Sequence, residues 1–247
     1  AIQRNLPQHK IKVFAVHPKR ADVFVLDEVR ELMEWADIIH VHYWKSGRLL
    51  RSTFPKEFGD KPRILFHHNP YDVLTEENQY YTAVCVVNEE LHNKLPSAHL
   101  VPHCINLSFF KFNDNYTEDK TVMMSVARIE GKKGVREVAQ ACLDLGYKFL
   151  LVGRVSKPEY MEQVIRLGGN TLEFWENVSD QKLLEAYYKS AIHVCNSVDG
   201  FESGTLPILE AMACGVPVLT RNIGLVPDIY NGSNMVIRST PTEDIED

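Results

Sequence analysis

The segment from Asp199 to Thr220 decides our expectation of the fold, and it reads DGFESGTLPILEAMACGVPVLT. It opens with a small polar loop whose residues allow tight turns and can cap a helix: Ser203, Gly204 and Thr205. Pro207 suits a first helical turn. Four apolar residues then recur at helical spacing and are expected to form the buried face: Leu206, Leu209, Met212 and Ala213. Gly215 and Pro217 predict the helix end, and the apolar run that follows predicts a buried strand.

The start of this helix is a candidate site for an anion. Unpaired backbone N–H groups and the positive end of the helix dipole at Gly204 to Leu206 suit a phosphate or diphosphate. Glu202 precedes the helix and Glu210 lies about one turn inside it, and both carboxylates can accept hydrogen bonds from hydroxyl groups. A nucleotide sugar offers a diphosphate and hydroxyls together. On these residues alone, the alternative is an ordinary strand-loop-helix in which one glutamate caps the helix and the other is solvated.

The complete pattern is more specific than either glutamate. Together with Leu206-Pro207 and the run from Leu209 to Val218, the glutamates resemble the Glu-x7-Glu signature of the retaining glycosyltransferases of family GT4, which have the GT-B fold. The resemblance implies that Glu210 holds the nucleotide ribose and that Glu202 faces the donor sugar at the catalytic centre. It also assigns the diphosphate to the amides of the loop: Ser203, Gly204, Thr205 and Leu206. The family usually has Glu-Gly-Phe-Gly here, whereas this chain has Glu202-Ser203-Gly204-Thr205.

A second group of candidate ligand residues lies in the loop between a predicted strand at 122–127 and a predicted helix at 135–145. Fixed cations beside a helix N-terminus would neutralise the charge that grows on a diphosphate leaving group, although cations in a loop are often merely solvated. Arg128 followed by Lys133-Gly134 is similar to the Gly-Arg-Leu-x3-Lys-Gly motif of the same family. The resemblance makes Arg128 and Lys133 diphosphate ligands. Likewise, residues 172–178 resemble a family strand whose end, here Asn177 and Val178, forms part of the base pocket.

The first half of the chain alternates between strands and helices. Apolar runs predict strands at 11–16, 38–42, 63–66, 83–87 and 99–101, with helices at 21–35, within 44–58 and at 89–95. This pattern is typical of a parallel sheet covered by helices. Histidines fall where strands end, at His40, His42 and His67-His68. They are either structural hydrogen-bonding groups or, as the resemblance to the family's N-terminal domain implies for His68, a catalytic contact to the donor sugar. A zinc site is a weaker alternative, because further ligands at metal-site spacing are absent from the sequence.

Composition limits the function classes. The chain has 247 residues, 45% of them hydrophobic, and a net charge of −6, which argues against wholesale nucleic-acid binding. Its five cysteines are scattered, which favours free thiols in a reducing compartment and a cytoplasmic location. Residues 44–63 are locally basic and amphipathic, so they predict either a solvated helix or a peripheral contact with an anionic membrane.

These observations lead to one combined expectation. We expect an α/β protein of GT-B type with two Rossmann-like domains whose parallel sheets face a cleft, comprising a shortened acceptor-side domain at 1–103, a linker at 104–120 and a nucleotide-sugar-binding domain at 121–247. The resemblance implies that it transfers a sugar from a nucleotide-diphosphate sugar to a glycan, lipid or small-molecule acceptor, with retention and without a metal or other cofactor, in line with the absence of an Asp-x-Asp triplet. Two alternatives stay open: a nucleotide-sugar-binding protein without activity, and a GT-B sugar-nucleotide epimerase.

Overall fold

The computed structural model describes residues 8–13, 26–113, 119–198 and 202–229. The chain divides into two compact units, Ala1–Pro102 and His103–Asp247. None of the helices in the described ranges is long and apolar enough to cross a membrane. All five cysteines are free, as expected.

The first unit is built on a parallel sheet with strand order β1-β2-β3-β4. The strands are β1 (Ile39–Val41), β2 (Arg63–His67), β3 (Ala83–Val86) and β4 (His99–Leu100). The helices are α1 (Leu26–Trp35), α2 (Trp44–Thr53), α3 (Pro55–Gly59) and α4 (Glu89–Lys94), with a 3-10 turn at Glu76–Tyr80. The alternation predicted the four strands and the helices α1 and α4, although residues 21–25 of the first predicted helix lie outside the described residues. The single helix predicted within 44–58 is two helices, α2 and α3, and the 3-10 turn was not predicted. Of the strand predicted at 11–16, residues 11–13 lie outside any strand and the rest lie beyond the described residues.

Several arginines of the basic segment 44–63 form ion pairs and hydrogen bonds within this unit. The carboxylate of Glu77, only 2% exposed, receives Arg48 Nε at 2.9 Å and Arg51 Nη2 at 3.0 Å. Arg63 Nη1 donates to the carbonyl oxygens of Phe58 and Gly59, at the end of α3. These arginines hold the unit together, since a buried carboxylate requires such partners. The peripheral membrane contact expected for this segment stays a prediction.

The second unit is built on a parallel sheet with strand order β7-β6-β5-β8-β9. Its strands are β5 (Asp119–Ile129), β6 (Lys148–Val155), β7 (Leu172–Glu176), β8 (Ser190–Cys195) and β9 (Val218–Thr220). Its helices are α5 (Val135–Leu145), α6 (Pro158–Gly168), α7 (Asp180–Lys189), α8 (Leu206–Ala213) and α9 (Val226–Ile229), with 3-10 turns at Gly131–Lys133 and Gly169–Thr171. The apolar run at 235–237, which predicts a further strand, lies outside the described residues.

Helices cover both faces of this sheet, and each face has its own buried core. Residues before β5 also belong to this packing, because Phe109 and Phe110 pack against the cluster that contains Tyr187 and Ile208. Tyr188 Oη donates to the Lys111 carbonyl oxygen at 2.7 Å. The chain is therefore fixed to the second unit well before its first strand begins.

The buried face predicted for α8 is wrong. Ile208 and Ala211 are fully buried, whereas Leu206 is 38% and Met212 45% exposed. The helix is apolar almost all round, so spacing alone does not select a face. The face is set by packing of Ile208, Ala211 and Cys214 on the core below. Glu210 is thereby placed at the boundary between core and solvent.

Candidate functional site

Two loops predicted separately from the sequence lie side by side at the carboxyl edge of the second sheet. One follows β5 and contains Lys133; the other follows β8 and contains Glu202. Their strands pair directly and in parallel, and Val198 N donates to the Lys132 carbonyl oxygen at 2.9 Å, which joins the loops. This edge is where open α/β sheets bind their ligands.

The centre of this edge is an ion pair. The ammonium group of Lys133 contacts Glu202 Oε1, and Ser197 Oγ donates to the same oxygen at 2.6 Å. The side chains of Lys133 and Glu202 are only 15% and 12% exposed, so the pair is shielded from most solvent screening. Ser197 was not predicted, although a hydroxyl residue so soon after a strand at this edge was a signal that could have indicated it.

The backbone beside Lys133 is fixed by a glycine. Gly134 begins α5 with φ of +58°, a conformation that glycine adopts without steric cost. A Cβ at this position would overlap the backbone oxygen of Asn196, whose Nδ2 donates to the Gly134 carbonyl oxygen at 3.2 Å. The close approach of the two loops thus depends on Gly134, and it places Lys133 next to Glu202.

Arg128, the other predicted cation, lies in a different setting. It is near the carboxyl end of β5 with its side chain 58% exposed, and Arg128 Nη2 lies 3.1 Å from Glu130 Oε1. An exposed ion pair of this kind contributes little to stability. The guanidinium group is therefore easily turned toward a ligand at the same edge.

The start of α8 contains buried polar groups. Ser203, Gly204 and Thr205 are all buried, and Thr205 is the N-cap residue with φ of 26°. The side-chain cap expected from this loop is not formed by Thr205, because its hydroxyl, within the part of the chain that is described, has no hydrogen-bond partner. A β-branched residue at positive φ is strained, and such strain clusters at ligand-binding sites.

Glu210, one turn into α8, is held by a tyrosine. Tyr187 Oη donates to Glu210 Oε2 at 2.7 Å. Burial raises the pKa of Glu210, and the hydrogen bond from Tyr187 opposes that rise. Burial, and then the charge of Glu210, raise the pKa of Tyr187 well above its usual value, so the phenol stays a donor. Tyr187 lies within α7 and belongs to no motif, so no pattern in the sequence indicated it.

The residues predicted for the base pocket lie at the end of a third strand. Asn177 and Val178 follow β7 directly, Asn177 exposed and Val178 packed against the core. Asn177 adopts φ of 49°, and its N–H donates to the Gly153 carbonyl oxygen at 3.1 Å. The structure places them at the same carboxyl edge as Lys133, with no contact between them and the ion pair among the hydrogen bonds described.

Three histidines of the first unit, His40, His42 and His68, lie close together at the carboxyl ends of β1 and β2, whereas His67 Nε2 lies 2.8 Å from Asn78 Oδ1. His42 Nδ1 and His68 Nε2 are 2.8 Å apart, and the rings of His40 and His42 lie 4.4 Å apart. Burial, with the nearby His42, lowers the pKa of His40 to about 4. Over the described ranges, no group of three or more His, Cys, Asp and Glu residues could hold a metal ion.

Comparisons with known proteins found relatives of this chain. The chain is similar to the serotype-specific mannosyltransferase WbdA of Escherichia coli, with 28% identity over 145 residues, or 53% of this chain and 17% of that protein. It is also similar to the probable sucrose-phosphate synthase of Thermosipho melanesiensis, with 28% identity over 181 residues, or 68% of this chain and 42% of that protein. The chain thus spans less than half the length of these relatives.

Solved structures match the fold. The sucrose-phosphate synthase of Thermosynechococcus elongatus superposes with a TM-score of 0.69 at 20% identity, covering 89% of this chain and 66% of that one. Anabaena Alr3699/HepE in complex with UDP-glucose superposes with a TM-score of 0.72 at 17% identity, covering 98% of this chain and 76% of that one. The predicted α/β fold with two parallel sheets, of GT-B type, is confirmed.

The family is established by sequence as well. Residues 108–240 match the sequence model of the family described as glycosyl transferases group 1, and they include the two loops and the helix that form the candidate site. More than half of the chain is covered by this match. The chain therefore belongs to the glycosyl transferases group 1 family.

Proposed function

We propose that this chain is a retaining glycosyltransferase of GT4 type, which transfers a sugar from a nucleotide-diphosphate sugar to a hydroxyl of an acceptor. The observation that carries the proposal is the contact of Lys133 with Glu202 at the carboxyl edge of the second sheet, beside the loop that begins α8. It combines a cation for the diphosphate with a carboxylate for sugar hydroxyls. Family membership supports the same reaction class.

The diphosphate would be bound by two kinds of group. Backbone N–H groups at Ser203 to Leu206, at the positive end of the α8 dipole, would donate to its oxygens. The cations Lys133 and Arg128 would neutralise the charge that increases on the diphosphate as the glycosidic bond breaks. Both cations now pair with carboxylates, so the donor would replace Glu202 and Glu130 as their partners.

The nucleoside and the sugar would be oriented by carboxylates. Glu210, held by Tyr187, would accept hydrogen bonds from the ribose hydroxyls, with Asn177 and Val178 near the base. Glu202, once separated from Lys133, would accept hydrogen bonds from the sugar. A hydroxyl donor satisfies a carboxylate without bringing a second negative charge to it. The roles of Glu202 and His68 at the sugar, and retention itself, rest on the resemblance to GT4 enzymes.

The donor is the property most open to test. The complex of Anabaena Alr3699/HepE contains UDP-glucose and WbdA is a mannosyltransferase, so we propose a panel headed by UDP-glucose and a nucleotide-linked mannose. Thermal stabilisation of the purified protein by each nucleoside diphosphate and its sugars is measured first, because a ligand that binds the native state raises Tm. Arg128→Ala combined with Lys133→Ala should abolish the shift.

Turnover then separates the proposal from its alternatives. A transferase releases nucleoside diphosphate and forms a product with the donor's anomeric configuration when an acceptor is present. An epimerase releases a free, altered sugar without an acceptor, and a binding protein gives a thermal shift without turnover. A folded protein that shows no shift with any member of the panel would contradict the proposal.

A further inference from the structure

His103 covers the loop at the start of α8. A Cβ placed on Gly204 would overlap Cδ2 and Nε2 of the His103 imidazole. Gly204 is buried and His103 is half-buried, and both belong to the second unit. The edge of the ring that carries Nε2 therefore lies directly on the Cα atom of Gly204, which is why this loop position requires a residue without a side chain.

This contact places a nitrogen beside the proposed diphosphate. An oxygen that accepts a hydrogen bond from a backbone N–H lies about 2.9 Å from the nitrogen. An oxygen bound by the amides of Gly204 or Thr205 would therefore lie in the immediate neighbourhood of the imidazole. The hydroxyl of Thr205, buried and without a partner in the described ranges, adds a second polar group at the same place.

The charge balance of the site favours a further hydrogen-bond donor to the diphosphate. Arg128 pairs with Glu130 and Lys133 with Glu202, so two carboxylates offset the two cations. A diphosphate is multiply anionic and binds best where several donors converge on it. We propose that His103 is a further ligand of the donor diphosphate, with its Nε2–H donating to a diphosphate oxygen held at the start of α8; this inference rests on the proposed function.

The test compares ligands as well as variants. His103→Phe keeps a ring of similar shape over Gly204 but removes the donor, and His103→Gln keeps an N–H donor. Affinities are measured calorimetrically for the nucleoside diphosphate selected by the panel and for its parent nucleoside, which lacks phosphate. We expect His103→Phe to lower the affinity for the nucleoside diphosphate by about tenfold, as for loss of one hydrogen bond to a charged group. The affinity for the nucleoside should not change. His103→Gln should recover part of the loss.

The control is His99→Phe, which alters an exposed histidine four positions earlier, in the first unit, and it should bind both ligands as the wild type does. Equal affinity of His103→Phe and wild type for the diphosphate would overturn the role of His103 and leave the proposed function intact. Equal losses for diphosphate and nucleoside would also overturn it, since they indicate packing alone. Absence of nucleotide binding by the wild type would instead contradict the proposed function. If His103→Phe does not fold, His103→Ala is judged by the same criteria.

Discussion

Lys133 and Glu202, which are 69 residues apart in the sequence, form an ion pair between the loops that follow β5 and β8. Under the proposed function both side chains have ligand partners of their own, a diphosphate for the lysine and sugar hydroxyls for the glutamate. Donor binding must therefore exchange partners at this pair. The energy of the existing contact opposes binding, and the shielded position of the pair makes that energy larger than for a surface contact.

Replacement of Lys133 tests whether its positive charge contributes to diphosphate binding. Lys133→Ala deletes a charged hydrogen-bond donor to the diphosphate, and we expect affinity for the nucleoside diphosphate to fall by about tenfold or more. Calorimetric titration measures it. Lys132→Ala is the matched control, because Lys132 is an exposed neighbour in the same 3-10 turn. Similar losses in the two variants would indicate that general positive charge, not the position of Lys133, controls binding.

Neutralising the glutamate should have the opposite effect on binding. Glu202→Gln replaces the carboxylate that pairs with Lys133 by a neutral amide, so less energy is needed to separate the two side chains. Affinity for the free nucleoside diphosphate should therefore rise severalfold, by up to about tenfold. Turnover of the nucleotide sugar should fall at the same time, since the carboxylate that orients the sugar is lost. Titration and product release are measured on the same preparation. Unchanged affinity together with unchanged turnover would remove Glu202 from the mechanism.

The hydrogen bond from Tyr187 to Glu210 predicts a dependence on pH. Because burial already raises the pKa of Glu210, loss of the phenol in Tyr187→Phe should raise it further. Nucleoside affinity, which needs the ionised carboxylate, should then decline at a higher pH in the variant than in the wild type as the solution is acidified. The loss of a buried hydrogen bond should also cost about 1–3 kcal/mol of stability.

The adjacent tyrosine provides the comparison for this pair. Tyr188 Oη donates to the Lys111 carbonyl oxygen and not to Glu210. Titrations at several pH values should give Tyr188→Phe the wild-type profile for nucleoside affinity. If the profiles of Tyr187→Phe and wild type coincide, the tyrosine does not act through Glu210.

We expect the second unit to lose stability at acidic pH because of the buried His193. Its side chain is buried, both ring nitrogens have no partner in the described residues, and burial lowers its pKa to about 4. The unfolded chain takes up a proton near pH 6.5, but the folded chain does so only near pH 4, so unfolding is favoured as the pH falls between these values. At 1.36 kcal/mol per pKa unit, the loss amounts to about 3 kcal/mol.

A leucine at this position should remove the effect. His193→Leu should be as stable as wild type at pH 7, because no hydrogen bond of the ring is lost, and should lose less stability on acidification. Hydrogen exchange of the β8 amides between pH 4 and pH 7, corrected for the intrinsic rate, reports on this unit directly. His99→Leu, a change at an exposed site, should follow the wild type. A steep acid loss retained in His193→Leu would assign the instability to other groups.

The sequence predicted the alternation of strands and helices well, because buried parallel strands are short apolar runs with clear boundaries. Motifs in the sequence singled out Lys133 and Glu202 individually as candidate ligands of the donor. It did not predict their contact, since pairing across 69 residues depends on the order of β5 and β8 in the sheet. Sheet order is a tertiary property that local patterns do not contain.

Two further failures also have their causes in tertiary packing. The buried face of α8 was wrong because the helix is apolar on nearly every side and Ile208, not Leu206, meets the core. Tyr187 was missed because one aromatic residue inside an amphipathic helix usually belongs to the core, and only its hydroxyl reaches Glu210.

The diphosphate site between the two loops is tested by a hydrogen–deuterium exchange footprint of the wild-type protein, with and without the nucleotide sugar that gives the largest thermal shift. We expect slower exchange at two separate segments of the second unit, the amides of residues 129–134 and those of residues 203–206, because the diphosphate would be held between them. Lys133→Ala should reduce the protection of both. Binding of the nucleotide sugar with protection confined to other segments would contradict the proposed diphosphate site.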